Sequence, residues 1–163
     1  MLEKITVCSK TLNSYRPVVL VEDRVIDDIM SLGAELTGVR LCHINSTPYG
    51  GGVAELLYSC IPLLRDAGIA ADWRIISGDD PFFKVTKNFH NALQGAEHRL
   101  TAEEKEIYIK YNTDNAQHFD ADYDVVIVND PQPAALRHFC NGKQTKRNSW
   151  VLTNLVPPVR WRM

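Results

Sequence analysis

Three successive glycines, Gly50, Gly51 and Gly52, are the sharpest chemical signal in the sequence. Residues without a Cβ turn tightly and let a ligand approach the backbone closely. They follow Asn45-Ser46-Thr47-Pro48-Tyr49 and lead into an apolar-periodic segment that opens at Val53. If that segment is a helix, its free N–H groups and positive dipole end suit a phosphate or a developing anion. A tight strand-to-helix turn with no ligand is the alternative. Neither standard phosphate motif fits. A dinucleotide fingerprint needs Gly or Ala where Glu55 stands, and no Gly-Lys-Ser/Thr follows as a P-loop requires. An NAD enzyme and a P-loop NTPase are both disfavoured.

A second constellation runs from Phe82 to Gly95. On a helix, Lys84, Lys87, His90, Asn91 and Gln94 share one polar face. Ammonium, imidazole and amide groups side by side suit hydroxyl-rich or anionic ligands. Spacing alone allows a plain solvated face equally well. Asp130 follows the apolar run 125–128 and precedes Pro131, so it is a candidate ligand contact or general base. A turn-capping role is as common for Asp at such corners, and Gln132 is similar. Ser46 belongs to the loop ahead of the glycines. The five histidines show no zincin spacing, and His138-x-Cys140 has no partners nearby in sequence, so no metal is expected. No G-x-S-x-G elbow supports a serine hydrolase.

These residues need elements to position them. Short apolar runs at 39–44 and 123–128 predict strands buried on both faces of a parallel sheet. Residues 72–76 and 149–153 read as further strands, and an N-terminal strand is expected near 5–8. Helical spacing appears at 22–36, with Val25, Ile26, Ile29, Met30 and Leu32 apolar. It recurs at 53–67, where Gly68 is a natural C-cap and Pro62 is expected to introduce a kink. Segments 81–93 and 133–139 also read as helical, and Thr101-x-x-Glu104 is a capping box opening a helix to about Gln117. Strands alternating with helices predict a three-layer, Rossmann-like α/β domain with a mostly parallel sheet. Ligands bind such sheets at the carboxyl ends of the strands. That rule selects three loops, 45–52, 77–80 and 129–133.

Composition sets the outer bounds. With 163 residues, 45% hydrophobic and 23% charged, the chain can bury a core and is not expected to be disordered. A net charge of −2 offers no overall basic field for nucleic acid. No apolar run approaches the roughly 20 residues of a membrane span, and the N-terminus lacks a signal-peptide pattern. Four scattered cysteines suit a reducing compartment. The expectation is one soluble, cytoplasmic domain over residues 1–163, with 1–35 as a strand and helix extension within it.

Three stretches carry a resemblance. They are His43-Ile44-Asn45-Ser46-Thr47-Pro48-Tyr49-Gly50-Gly51-Gly52-Val53-Ala54-Glu55-Leu56-Leu57, the run from Phe82 to Gly95, and Asp124-Val125-Val126-Ile127-Val128-Asn129-Asp130-Pro131-Gln132-Pro133-Ala134. Together they resemble the N-terminal domain of glycosyltransferring trehalose synthases, retaining GT-B enzymes related to trehalose phosphorylases. The resemblance covers most of residues 36–140. It implies the N-terminal, acceptor-side half of a GT-B fold. It further implies transfer of glucose between a nucleotide-sugar (UDP- or ADP-glucose) and glucose, making or consuming trehalose. Gly50, Gly51, Gly52 and Val53 become the loop near the donor's phosphates. Ser46, Lys87, His90, Asn91, Gln94, Asp130 and Gln132 become candidate sugar contacts. Family members are more than twice as long, and their second domain holds the donor nucleotide. After Trp150 the family continues with an Arg-Cys-His-Ile-Asp type segment, whereas here residues 151–163 diverge. The expectation is a domain that binds glucose or trehalose, takes nucleotide-sugar only with a second domain, self-associates, and is inactive alone. A stand-alone sugar-binding or regulatory module with the same fold is the competing reading.

Overall fold

The computed structural model describes residues 2–18, 22–119, 122–140 and 149–153. The five strands are β1 (Glu3–Lys4), β2 (Arg40–Asn45), β3 (Ala70–Ile75), β4 (Val125–Val128) and β5 (Ser149–Leu152). They form one sheet in the order β1-β3-β2-β4-β5. β2 pairs parallel with β3 and β4, β4 pairs parallel with β5, and only the edge strand β1 runs antiparallel. The expected mostly parallel, Rossmann-like sheet is therefore present.

Alternate residues of the strands feed two cores. Cys42, Ile44, Val126 and Val128 pack on one face with Ala116, Phe119 and Leu136. Leu41, Ala71 and Trp73 pack on the other with Ala54, Leu57 and Ile61. The covering helices are α2 (Gly52–Asp66) on the second face, and α4 (Ala102–Gln117) with α5 (Leu136–Phe139) on the first. Helices on both faces make the three layers. This burial explains why β2 and β4 are near-continuous apolar runs rather than alternating ones.

The helix ends follow their local chemistry. Thr101 accepts from the Glu104 N–H while Glu104 accepts from the Thr101 N–H, completing the capping box of α4. α3 (Asp80–Leu93) starts at Asp79, whose Oδ1 accepts from the Phe82 N–H at 3.0 Å. Gly68, at φ +97°, ends α2 as expected.

Three expectations are corrected. The N-terminal strand lies at Glu3–Lys4 rather than 5–8, because only the Ile5 N–H, bonding Trp73 O at 2.8 Å, continues the pairing beyond Lys4. The segment 133–139 is helical only over Leu136–Phe139, since residues 131–136 close on 3-residue turn bonds such as Ala134 N–H to Pro131 O. Third, the apolar residues of α1 (Asp23–Glu35) do not all face the core. Ile26 is 3% exposed, against 60% for Leu32, and Val25, Ile29 and Met30 also face out. Ile26 packs with Leu12 and Ala67. α1 therefore rests on the C-terminal end of α2, at the far end of that helix from the glycines.

That contact is close. A Cβ added at Gly33 would collide with the Ala67 carbonyl oxygen and approach the Ala67 Cβ to 2.8 Å. Alanine normally gains about 1 kcal/mol over glycine inside a helix. Here the collision should outweigh that gain, and Gly33→Ala is expected to lower stability by about 1–3 kcal/mol in urea unfolding. An unchanged or raised midpoint would mean that α1 does not rest on α2 at this point.

Candidate functional site

The carboxyl ends of β2, β3 and β4 converge, as the strand-end rule requires. Ser46, one residue past β2, donates its backbone N–H and its hydroxyl to Asp130 Oδ2, both at 3.2 Å. This joins the loop after β2 to the loop after β4. A cavity of about 510 Å³ opens beside it, lined by Glu3, Ser46, Thr47, Ile75, Ile76, Ser77, Gly78 and Phe83. The lining is polar on the loops and apolar at the strand ends, the usual make-up of a small-molecule site.

Buried amides hold the strand ends in place. Asn45 Oδ1 accepts from Trp73 Nε1 at 2.6 Å, and Asn45 Nδ2 donates to Thr47 O at 2.8 Å. Asn129 Nδ2 donates to Ile44 O at 3.2 Å, and its Oδ1 accepts from Thr153 Oγ1 at 3.2 Å. Asn115 bonds both sides of Ser77, accepting from its N–H at 2.9 Å and donating to its carbonyl at 2.8 Å. Gly78 is fixed by space, because a Cβ there would enter the Phe82 ring.

The glycine loop divides into two kinds of glycine. Gly50 and Gly51 sit at φ +66° and +101°, which L side chains rarely adopt. Gly51 is the N-cap of α2 and offers no side-chain cap. Gly52 is already helical, and a Cβ built on it meets nothing within 4 Å. The first two glycines are explained by the turn alone. Gly52 is not required by the fold, and its bare backbone stands at an open helix N-terminus whose first N–H groups lack intrahelical partners.

The other expected contacts are less gathered. Lys87, His90, Asn91 and Gln94 are exposed on α3, and none lines the cavity. They continue the helix face of Phe83, which does line it, at steps of three and four residues. His90 Nε2 and Gln94 Nε2 lie 2.8 Å apart. Gln132 is half-buried and its Oε1 has no hydrogen-bond partner. Among the described residues no group of three His, Cys, Asp or Glu could hold a metal ion.

Sequence reading missed the supports. Tyr108 donates its hydroxyl to Pro131 O at 2.9 Å, and burial pushes its pKa to about 12, so the phenol stays a donor. Asn112 Nδ2 donates to Gln132 O at 3.1 Å, while its Oδ1 is buried without a donor, a cost of about 1–3 kcal/mol. Asp79 is held below the usual carboxylate range by the Tyr111 hydroxyl and the Phe82 N–H. The signal that could have found them is the absence of an apolar stripe on α4, whose buried face is Asn112, Asn115 and Ala116.

His43 lies beneath this network with Nδ1 3.2 Å from Asn129 Nδ2. An amide N–H only donates, so Nδ1 accepts and the ring is neutral. Burial lowers the His43 pKa below its ordinary 6.5. The unfolded chain therefore takes up this proton first as pH falls. The stability from neutral His43 is complete above pH 6.5 and is lost as pH drops from there through the lowered folded value. His43→Gln should flatten the fall in unfolding free energy between about pH 7 and 5 relative to the parent chain. Parallel pH profiles for the two proteins would refute a buried neutral imidazole.

Relatives share this arrangement of sequence. Residues 43–154 match the family described as "Trehalose synthase, N-terminal domain". The trehalose synthase of Rubrobacter xylanophilus is 46% identical over 145 residues, 87% of this chain and 34% of that protein. That of Thermococcus litoralis is 44% identical over 144 residues, again 87% of this chain and 34% of that protein. A trehalose phosphorylase of Pleurotus pulmonarius is 32% identical over 109 residues, 60% of this chain and 15% of that protein. The chain thus spans about a third of the length of the trehalose synthases it matches. The matched segment includes the glycine loop, the α3 face and the Asp130 loop, and the chain belongs to the trehalose synthase N-terminal domain family.

Proposed function

We propose that this chain is the acceptor-side half of a GT-B glycosyltransferase that moves glucose between a nucleotide-sugar and glucose, forming or consuming trehalose. The observation that carries the reading is the Ser46–Asp130 junction, whose Ser46 side lines the cavity, in the loop that leads into the glycines. Asp130 spends one oxygen on Ser46 and keeps the other for a ligand. A carboxylate held in this way can take the hydroxyl proton of a neutral sugar and orient its oxygen toward the donor. Ser46 and Thr47 add hydroxyls from the cavity wall, and Gln132 brings a buried oxygen with no donor of its own. Lys87, His90, Asn91 and Gln94 extend the polar surface along α3, where a sugar longer than one ring would lie.

The donor side is the smaller share. Gly50, Gly51, Gly52 and Val53 leave the α2 N-terminus uncovered, and its dipole favours the negative charge that builds on a departing diphosphate. The nucleotide itself needs a second wall, supplied in this reading by a further domain closing over the cleft. Alone, this chain binds sugar weakly and transfers none. No helix among the described residues is long and apolar enough to cross a membrane. Cys8, Cys42, Cys60 and Cys140 all carry free thiols, which suits a reducing cytoplasm.

Titration of the 15N-labelled chain with trehalose and with glucose should shift the amides of Ser46, Thr47, Ser77, Gly78 and Asp130. Asp130→Asn keeps an acceptor for Ser46 but loses the charge, and should weaken binding about tenfold, near 1.4 kcal/mol. Incubation with nucleotide-glucose and glucose should yield no trehalose. Unshifted amides, equal affinity for the variant, or robust turnover would each sink the corresponding part of the reading.

A further inference from the structure

One helix touches the backbone of two strand-end loops, one that lines the cavity and one that carries Asp130. Tyr108, Asn112 and Asn115 stand at i, i+4 and i+7 on the inner face of α4. Tyr108 reaches the turn after Asp130, its hydroxyl donating to Pro131 O at 2.9 Å. Asn112 donates to the next carbonyl along, Gln132 O, at 3.1 Å, and to its own helix at Tyr108 O. Asn115 bonds both the N–H and the carbonyl of Ser77, and also donates to Tyr111 O at 2.7 Å. The first two residues thus grip the loop that carries Asp130 and Gln132. The third grips the loop that carries Ser77 and Gly78.

This is not how a helix is best anchored to a sheet. Asparagine is a poor helix former, and its side chain competes for backbone hydrogen bonds. An apolar residue at 112 would bury more cheaply, since Asn112 leaves its Oδ1 without a donor in a fully buried position. What the amides supply, and leucine would not, is directional attachment to particular backbone atoms. Directional bonds set positions to a fraction of an ångström, and a site that reads sugar hydroxyls depends on that precision.

We infer that Tyr108, Asn112 and Asn115 are positioning residues, and that α4 sets the spacing between the Asp130–Gln132 loop, joined to the cavity wall through Ser46, and the Ser77–Gly78 loop that lines the cavity. This rests on the sugar-site reading above for its functional consequence. The loop coupling itself is independent of any ligand. Because α4 is continuous from Ala102 to Gln117, a change at one loop's anchor leaves the other anchor in place.

The test compares Tyr108→Phe, Asn112→Leu and Asn115→Ala with the parent chain and with Leu57→Val, a core change in α2 outside the cavity lining. Amide hydrogen exchange without ligand and trehalose affinity by NMR titration are measured well below each unfolding midpoint. Tyr108→Phe and Asn112→Leu should speed exchange at Gln132 and residues 134–136 and leave Ser77 and Gly78 unchanged. Asn115→Ala should do the reverse. All three should bind trehalose about fivefold more weakly, while Leu57→Val loses stability and keeps its affinity. Tyr108→Phe removes a single oxygen and keeps the test alive if either asparagine variant fails to fold. Parent-like affinity and parent-like loop exchange in Tyr108→Phe would overturn the inference, as would an equal loss of affinity in Leu57→Val. If the parent chain binds no trehalose, the sugar-site reading falls, and loop exchange alone decides the coupling.

Discussion

A parallel sheet ends in backbone groups that have run out of strand partners, and they must be satisfied inside the protein. In this chain asparagine meets that demand at the ends of β2 and β4 and in the loop after β3. Asn45 closes the end of β2 against Trp73, and Asn129 closes the end of β4 against Ile44 O and Thr153. Asn115 reaches across from α4 to complete Ser77 after β3. Each amide carries both donors and an acceptor, so one side chain can tie two backbone segments together. The Ser46–Asp130 junction depends on this arrangement, since it needs the loops after β2 and β4 side by side. Remove the amides and the strand-end loops have no common frame.

Much of the frame was legible because it is apolar. The runs at β2 and β4 announce strands covered on both faces, and the Thr101–Glu104 pair marks the start of α4 by side-chain chemistry alone. The strand-end rule then selects three loops, two of which line the cavity while the third, carrying Asp130, bonds Ser46 in its wall. Less legible was anything set by a partner distant in sequence. The two-residue strand β1 is defined by pairing with β3, not by its own residues. The α1 pattern shows an amphipathic helix, yet nothing in its spacing says that only Ile26 would reach the core while Leu32 stays outside. The positioning residues were hidden for the opposite reason. Asn112 and Asn115 look like surface residues, and their burial follows from the loops they serve.

The glycine loop shows how structure sharpens a motif. From sequence, Gly50, Gly51 and Gly52 are a single signal. In the fold, backbone conformation accounts for Gly50 and Gly51, and no conformational or packing need accounts for Gly52.

The same logic bears on how much of a reaction one such domain can hold. Among the described residues Trp73, Phe82, Ile44 and Val126 are fully buried, so the sheet has a closed core. The cavity is bounded by Glu3 of β1, the loops after β2 and β3, and Phe83 of α3. A neutral sugar asks little of such a surface, because hydroxyls exchange hydrogen bonds with water at small net cost. A leaving diphosphate asks for far more, since stabilising its charge requires dipoles in a site shut off from water. An open helix N-terminus contributes part of that field and solvent screens most of it. In the proposed reading, acceptor recognition is therefore within reach of this surface, whereas donor chemistry needs an opposing surface to exclude the water.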